Sequence, residues 1–415
     1  MQAELSIETE LHAVHFDRDV ITFWQRVDPG GLPYVRCVGR LDARWGPWQE
    51  GPPVRDHQTV IGDGVRLTVH DDGLTVIRGL RDIGINYEYQ SRIDAKWSRG
   101  VAGKWMWADE HGGSIVLGRY TDDSGVDNVV RGAIASGAPH GVAILPSRLM
   151  DDAKLYASGA RPHVYVALDS DNVQRFLDEP ALWDVLVKRR FGAIVVFEGC
   201  YAGGSTPQAI RGSIIPRYVF PDEDRTHRFV GEGLRRGFKM LSYFEPKHWL
   251  QFHWANIIRE IRDFNAKHGF TGVYLDGLNL ANDWLEAYYA VKALAEFGPI
   301  YAHNSVDVWG ALSGLVATPI LAHCTWSLHG ESTAIITPDD AYVQYVSQPR
   351  LHGCISDHKR HPNSVGGDDT DLMVEIADWG SRRLGYAWGG PLADWDVHFK
   401  EQFNLRFLDW QTENE

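Results

Sequence analysis

Cysteine is scarce in this chain of 415 residues. Its four copies, Cys37, Cys200, Cys324 and Cys354, lie far apart and form no Cys-x-x-Cys pair. That excludes a zinc ribbon and a disulfide framework. No apolar run reaches the ~18 residues of a membrane span, so no membrane partner is expected. Basic residues are also in deficit. Forty-one Lys and Arg face 55 Asp and Glu, a formal charge of −14, which argues against binding nucleic acid or an anionic bilayer through the general field. The first residues carry no basic-then-apolar leader, and the chain as it stands is expected in the cytoplasm.

Several catalytic signatures are missing too. There is no Gly-x-Gly-x-x-Gly after a first strand and no Walker loop, no Gly-x-Ser-x-Gly elbow, and no His-x-His or His-Glu-x-x-His. The 18 His are spread singly. Asp368, Asp369 and Asp371 crowd together as calcium ligands do, but lack the rest of an EF-hand loop. An acid-rich helix start accounts for them equally well. No metal and no cofactor are expected.

Against these absences stands an abundance of aromatics: 16 Trp, 16 Tyr and 16 Phe. Trp is costly to bury completely because its N–H needs a partner. So many of them suggest flat apolar faces offered to a ligand, and sugar rings suit such faces. Apolar residues make up 44% and charged residues 23%, the balance of a chain able to bury a sizeable core. The length fits one barrel of ~250 residues plus a smaller domain.

Residues 1–125 read as all β. Short β-branched or aromatic runs, Ile21–Arg26, Tyr34–Val38, Val65–His70, Leu74–Arg78 and Ile85–Gln90, are separated by Asp- and Gly-rich turns. Arg40-Leu-Asp-Ala-Arg-Trp45 recurs as Arg92-Ile-Asp-Ala-Lys-Trp97, 52 positions later. A period near 50 fits a four-stranded propeller blade, and the region resembles lectin-type blades. Two such sheets packed face to face are the alternative. This unit is expected to bind sugar or to cap the next domain, and its aromatic surface would suit a homodimer.

Residues 126–415 change pattern. Short apolar strands alternate with helical stretches. The strands begin at Gly141, His163, Gly192, Phe238, Gly272, Pro299, Ile320 and His352. Eight such units match a (β/α)8 barrel in number and length. The expected fold class is therefore α/β, a TIM barrel preceded by a small all-β domain. Many of these strands end on a polar side chain, and in a barrel those ends ring one mouth. Asp169, Glu198, Glu245, Asp276, His303 and Asp357 fall there, with Glu331 shortly after Trp326. Each acid taken singly could cap the following helix; the ring as a whole is harder to explain that way.

The segment Phe270-Thr-Gly-Val-Tyr-Leu-Asp-Gly-Leu278 resembles the strand end of retaining (β/α)8-barrel glycoside hydrolases, the α-galactosidase-like and polygalactosaminidase-like groups. It lacks the Lys-x-Asp of α-galactosidases. The resemblance implies that Asp276 is a catalytic carboxylate, the nucleophile. A glycosidase also needs an acid to protonate the departing oxygen. Glu331, in Trp326-Ser-Leu-His-Gly-Glu-Ser332, is the first choice and Glu245 the second. Ser242-Tyr-Phe-Glu-Pro246 resembles the Asn-Glu-Pro of retaining β-glycosidases, with Phe244 in place of the Asn. If Glu245 and Glu331 are the pair, Asp276 would hold a hydroxyl.

Glu198, Tyr243, Tyr274, His303, Asn304, Trp326, His329, Asp357, His358 and Trp388 are the candidate sugar contacts. The aromatic ones among them are stacking candidates. The expected activity is hydrolysis of a glycosidic bond in an oligo- or polysaccharide, by a retaining double displacement. A carbohydrate-binding barrel without catalysis is the alternative.

Overall fold

A computed structural model of the chain describes, with interruptions, residues 5–144 and 164–304, then 320, 323–329, 352–354 and 386–388. Two compact units emerge: residues 1–157 with 343–350, and residues 158–342 with 351–415.

The first unit holds two antiparallel sheets. One contains β1 (Leu5–Glu8), β2 (His12–Phe16), β3 (Val20–Val27), β4 (Tyr34–Asp42), β9 (Ile83–Tyr89) and β13 (Val129–Ile134), side by side in that order. The other contains β5 (Gln49–Glu50), β6 (His57–Gly62), β7 (Val65–His70), β8 (Leu74–Gly79), β10 (Trp97–Val101), β11 (Lys104–Asp109), β12 (Gly112–Leu117) and β14 (Pro139–Ile144). Its order is β10-β11-β12-β14-β8-β7-β6-β5.

Alternation explains how each sheet finds its core face. In β9 the odd residues Ile83, Ile85, Tyr87 and Tyr89 are all buried. They join Phe23 and Leu41 of the first sheet and Leu67, Trp107, Val116 and Val142 of the second in one apolar cluster. The sheets therefore pack face to face. The Tyr87 hydroxyl crosses that core to donate to Ser114 Oγ at 2.7 Å. Trp107 is stacked on both Tyr87 and Tyr89, at ring-centroid distances of 5.7 and 5.8 Å.

This corrects the propeller expectation. Sheets of six and eight strands replace four-stranded blades, and the two repeat copies serve different sheets. The first closes β4; the second leads into β10 at Trp97, its residues 92–96 lying outside the described ones. The apolar run at Gly141, read as a first barrel strand, is part of β14. It pairs antiparallel with β8 and β12 and follows β13, a strand of the other sheet, after a short turn at residues 135–138 rather than a helix.

The second unit is built from parallel strands: β15 (Val164–Val166), β16 (Ala193–Val196), β17 (Lys239–Phe244), β18 (Gly272–Leu275), β19 (Ile300–Asn304), β20 (Trp326–His329), β21 (His352–Cys354) and β22 (Tyr386–Trp388). Strands β16 to β21 form one sheet in sequence order. The first strand, β15, pairs in parallel with the last, β22, and also lies against β16.

Between them run α1 (Ser170–Asp178), α2 (Ala181–Lys188), α3 (Glu223–Arg235), α4 (Trp254–His268) and α5 (Trp284–Ala295). Helix α3 starts where Asp222 accepts the Arg225 N–H at 2.8 Å, with Glu223 and Asp224 in its first turn and Arg235 in its last. Gly237, at φ 86°, turns the chain into β17. No helix among the described residues is long and apolar enough to cross a membrane.

Two strands differ from the sequence reading. The apolar residues from Ile320 precede β20, which begins only at Trp326; the Thr325 N–H reaches Ile300 O at 2.9 Å just before it. Tyr386–Trp388, absent from the eight strands read in the sequence, is β22.

Candidate functional site

Strand β17 organises the described part of the site. Its even residues face the helices. Met240 packs against Gly233 of α3, the Ser242 hydroxyl meets Asn265 Oδ1 of α4 at 2.6 Å, and the Phe244 ring lies 5.5 Å from that of Phe264. Alternation sends Tyr243 and Glu245 to the opposite face. There the Tyr243 hydroxyl donates to Glu245 Oε1 at 2.9 Å. Glu245 is only 4% exposed. A carboxylate this deep persists only with hydrogen-bond partners, and a phenol donor two residues upstream supplies one.

Tyr243 belongs to a row. Its Cα partner across the sheet is Tyr274, whose own partner is Tyr301; Trp326 and His352 continue the register. The Tyr243 and Tyr274 rings stack at 5.6 Å, and Tyr301 meets Tyr274 edge-on at 5.1 Å. All three tyrosines are buried. Tyr243 and Tyr274 were expected to stack on sugar. Their faces are instead turned to each other, and they make a floor beneath the strand ends.

Two residues that sequence reasoning missed complete the arrangement. The Tyr243 N–H donates to the Tyr201 hydroxyl at 3.1 Å, and the Glu245 N–H donates to the Tyr218 hydroxyl at 3.0 Å. Burial pushes the Tyr201 phenol far above its ordinary range, so it stays a neutral hydroxyl. Tyr201 stacks on Phe220 at 4.7 Å, and Tyr218 packs on Phe244 at 4.5 Å. Nothing local marks these tyrosines, since they lie 42 and 27 positions from the groups they hold.

The other candidates divide by what is described. His303 and Asn304 close β19, where their Cα partners are Leu328 and His329. Trp326 opens β20, and Trp388 on β22 is paired with Val166. Glu198, Asp276, Glu331, Asp357 and His358 lie outside the described residues. Asp276 follows Leu275, the last residue of β18, and Glu331 comes two positions after the end of β20. Among the described residues, no group of three or more His, Cys, Asp or Glu could hold a metal ion.

A scan against protein-family profiles finds no match, and neither does a search of curated proteins. Solved structures do match. A GH31 family sulfoquinovosidase from E. rectale, in complex with an aza-sugar inhibitor, is 10% identical over 99% of this chain and 82% of its own, with a TM-score of 0.44. A putative deoxyribose-phosphate aldolase from Coccidioides immitis is 11% identical over 54% of this chain and 79% of its own, at 0.34. The cycloalternan-forming enzyme from Listeria monocytogenes is 7% identical over 98% of this chain, which spans 53% of that enzyme, at 0.40. Likeness at this level extends to an aldolase as well as to sugar-processing enzymes and singles out no chemistry.

Proposed function

We propose that the second unit is a closed (β/α)8 barrel that hydrolyses glycosidic bonds. Closure is supported by strand pairing. Six of the eight pairings of such a ring are described, including the pairing of last strand to first. Among the described residues, the helices that pack on β17 do so from one side, as in a barrel wall.

The observation that carries the function is the buried carboxylate of Glu245. It is fixed by Tyr243 on the face turned away from α3 and α4, at the C-terminal end of a strand whose neighbour ends at Leu275, one position before Asp276. Asp276 attacks the anomeric carbon while Glu331 gives its proton to the departing oxygen. Glu331 then takes a proton from water, which displaces Asp276 and releases the sugar. Glu245 flanks Asp276 and accepts a hydrogen bond from a sugar hydroxyl. His303, Asn304, His329 and Trp388 contribute from neighbouring strands.

A panel of 4-nitrophenyl glycosides, with oligosaccharides, tests this. Asp276→Asn is expected to abolish release on whichever substrate is cleaved, and Glu331→Gln to leave activated aryl leaving groups the least affected. Wild-type turnover by Asp276→Asn would refute the nucleophile. Glycan binding with no cleavage across the panel would favour the sugar-binding alternative.

A further inference from the structure

Strand β17 carries Glu245 one residue past its own end, and the way its main chain is held there points beyond the carboxylate itself. Lys239 donates its N–H to Gly192 O, on the β16 side. Alternation turns the N–H groups of Tyr243 and Glu245 to that side too. The described β16–β17 register ends at Val196 and Ser242, one residue short of Tyr243. At Tyr243 and Glu245 the acceptors are the two phenol oxygens of Tyr201 and Tyr218. Both rings are buried, 5.4 Å apart and edge to face. Phe220, Phe244 and Phe264 brace them. A phenol oxygen on a packed ring is a fixed acceptor, because moving it means moving the ring.

We propose that Tyr218, with Tyr201 behind it, is a positioning residue. Its hydroxyl continues the acceptor line of the sheet edge with side-chain oxygen and fixes the backbone of Glu245, while Tyr243 fixes the side chain. These two bonds hold Glu245 at its side-chain Oε1 and at its backbone N–H. The proposal rests on the reading of Glu245 as a carboxylate that touches substrate.

Tyr218→Phe keeps the ring against Phe244 and removes only the oxygen. Hydrogen exchange, followed by mass spectrometry on peptides containing Glu245, is expected to show its amide exchanging at least tenfold faster in the variant. On the 4-nitrophenyl glycoside that the wild type cleaves best, KM should rise and kcat fall in the same proportion as in Glu245→Gln, by threefold or more. The double variant Tyr218→Phe/Glu245→Gln should behave like Glu245→Gln alone, because the two changes act through one group. Unchanged exchange at the Glu245 amide would overturn the proposal. So would full additivity in the double variant, or a lowered melting temperature with unaltered KM and kcat. If the wild type cleaves nothing on the panel, the glycosidase reading fails, and the exchange measurement still decides whether Tyr218 holds the strand end.

Discussion

Two histidines make the first unit sensitive to acid. His12 on β2 and His140 on β14 are both buried. Desolvation drives the His140 imidazole down to about 3 and that of His12 down to about 4, the latter against the opposing pull of Asp72 and Asp71. Both fall from an unfolded value of 6.5. With the folded value depressed, the unfolded chain binds more protons. Stability is therefore full above pH 6.5 and is lost as the pH falls from there towards the folded values. Each pH unit in that window costs about 1.36 kcal/mol per histidine.

At about pH 5, roughly 1.5 units below the unfolded value, the loss is about 2 kcal/mol for each histidine and about 4 kcal/mol for the pair. That is a large share of a typical domain's ~5–15 kcal/mol. Urea unfolding followed by Trp fluorescence at pH 7, 6 and 5 measures it. The midpoint should drop steeply across the series, and His140→Gln should remove about half of the drop. A flat profile between pH 7 and 5 would refute the reasoning. An unaltered slope in His140→Gln would refute it for that residue.

Three further outcomes rest on packing. Trp107→Ala empties the space between Tyr87 and Tyr89 in the sandwich core and should cost about 3–5 kcal/mol in denaturant unfolding; a loss under about 1 kcal/mol would contradict its central place. Gly272→Ala puts a methyl group against the Pro299 carbonyl and the Leu241 side chain. It should destabilise the parallel sheet by about 1–3 kcal/mol, seen as a lower thermal midpoint. Asp222→Ala removes the acceptor for the Arg225 N–H at the start of α3 and should cost about 1 kcal/mol, whereas Asp222→Asn should be nearly neutral.

Local pattern was a good guide to some elements. The runs at Val65–His70 and Leu74–Arg78 are β7 and β8 within a residue, because alternation and Asp-Gly turns are written in adjacent positions. The strands at Gly192, Phe238, Gly272 and Pro299 were legible for a related reason, being short apolar runs between capped helices. Partner choice was not. The run at Gly141 looks the same whether it pairs parallel or antiparallel, and its partners β8 and β12 lie far from it in sequence. Tyr386–Trp388 is too short to announce itself as a strand, since its partner Val164–Val166 lies far back in the chain. At the site, Glu245 and Tyr243 could be named from their strand end, but Tyr201 and Tyr218, which accept their backbone N–H groups, come from a different stretch of sequence.

The pairing of β15 with β22 also bears on how the chain is made. Val164 and Tyr386, which face each other there, are 386 − 164 = 222 positions apart. All the described strands of the first unit lie before residue 145, so its two sheets can assemble while the ribosome is still producing most of the second unit. The parallel strands cannot complete their set until residue 388 has emerged. Contacts of such long separation form slowly, and a nascent chain would hold the β22-facing edge of β15 unpaired throughout that interval. Synthesis stalled between residues 300 and 380 should therefore leave the strands before residue 145 protease-resistant and the second unit still bound by chaperones.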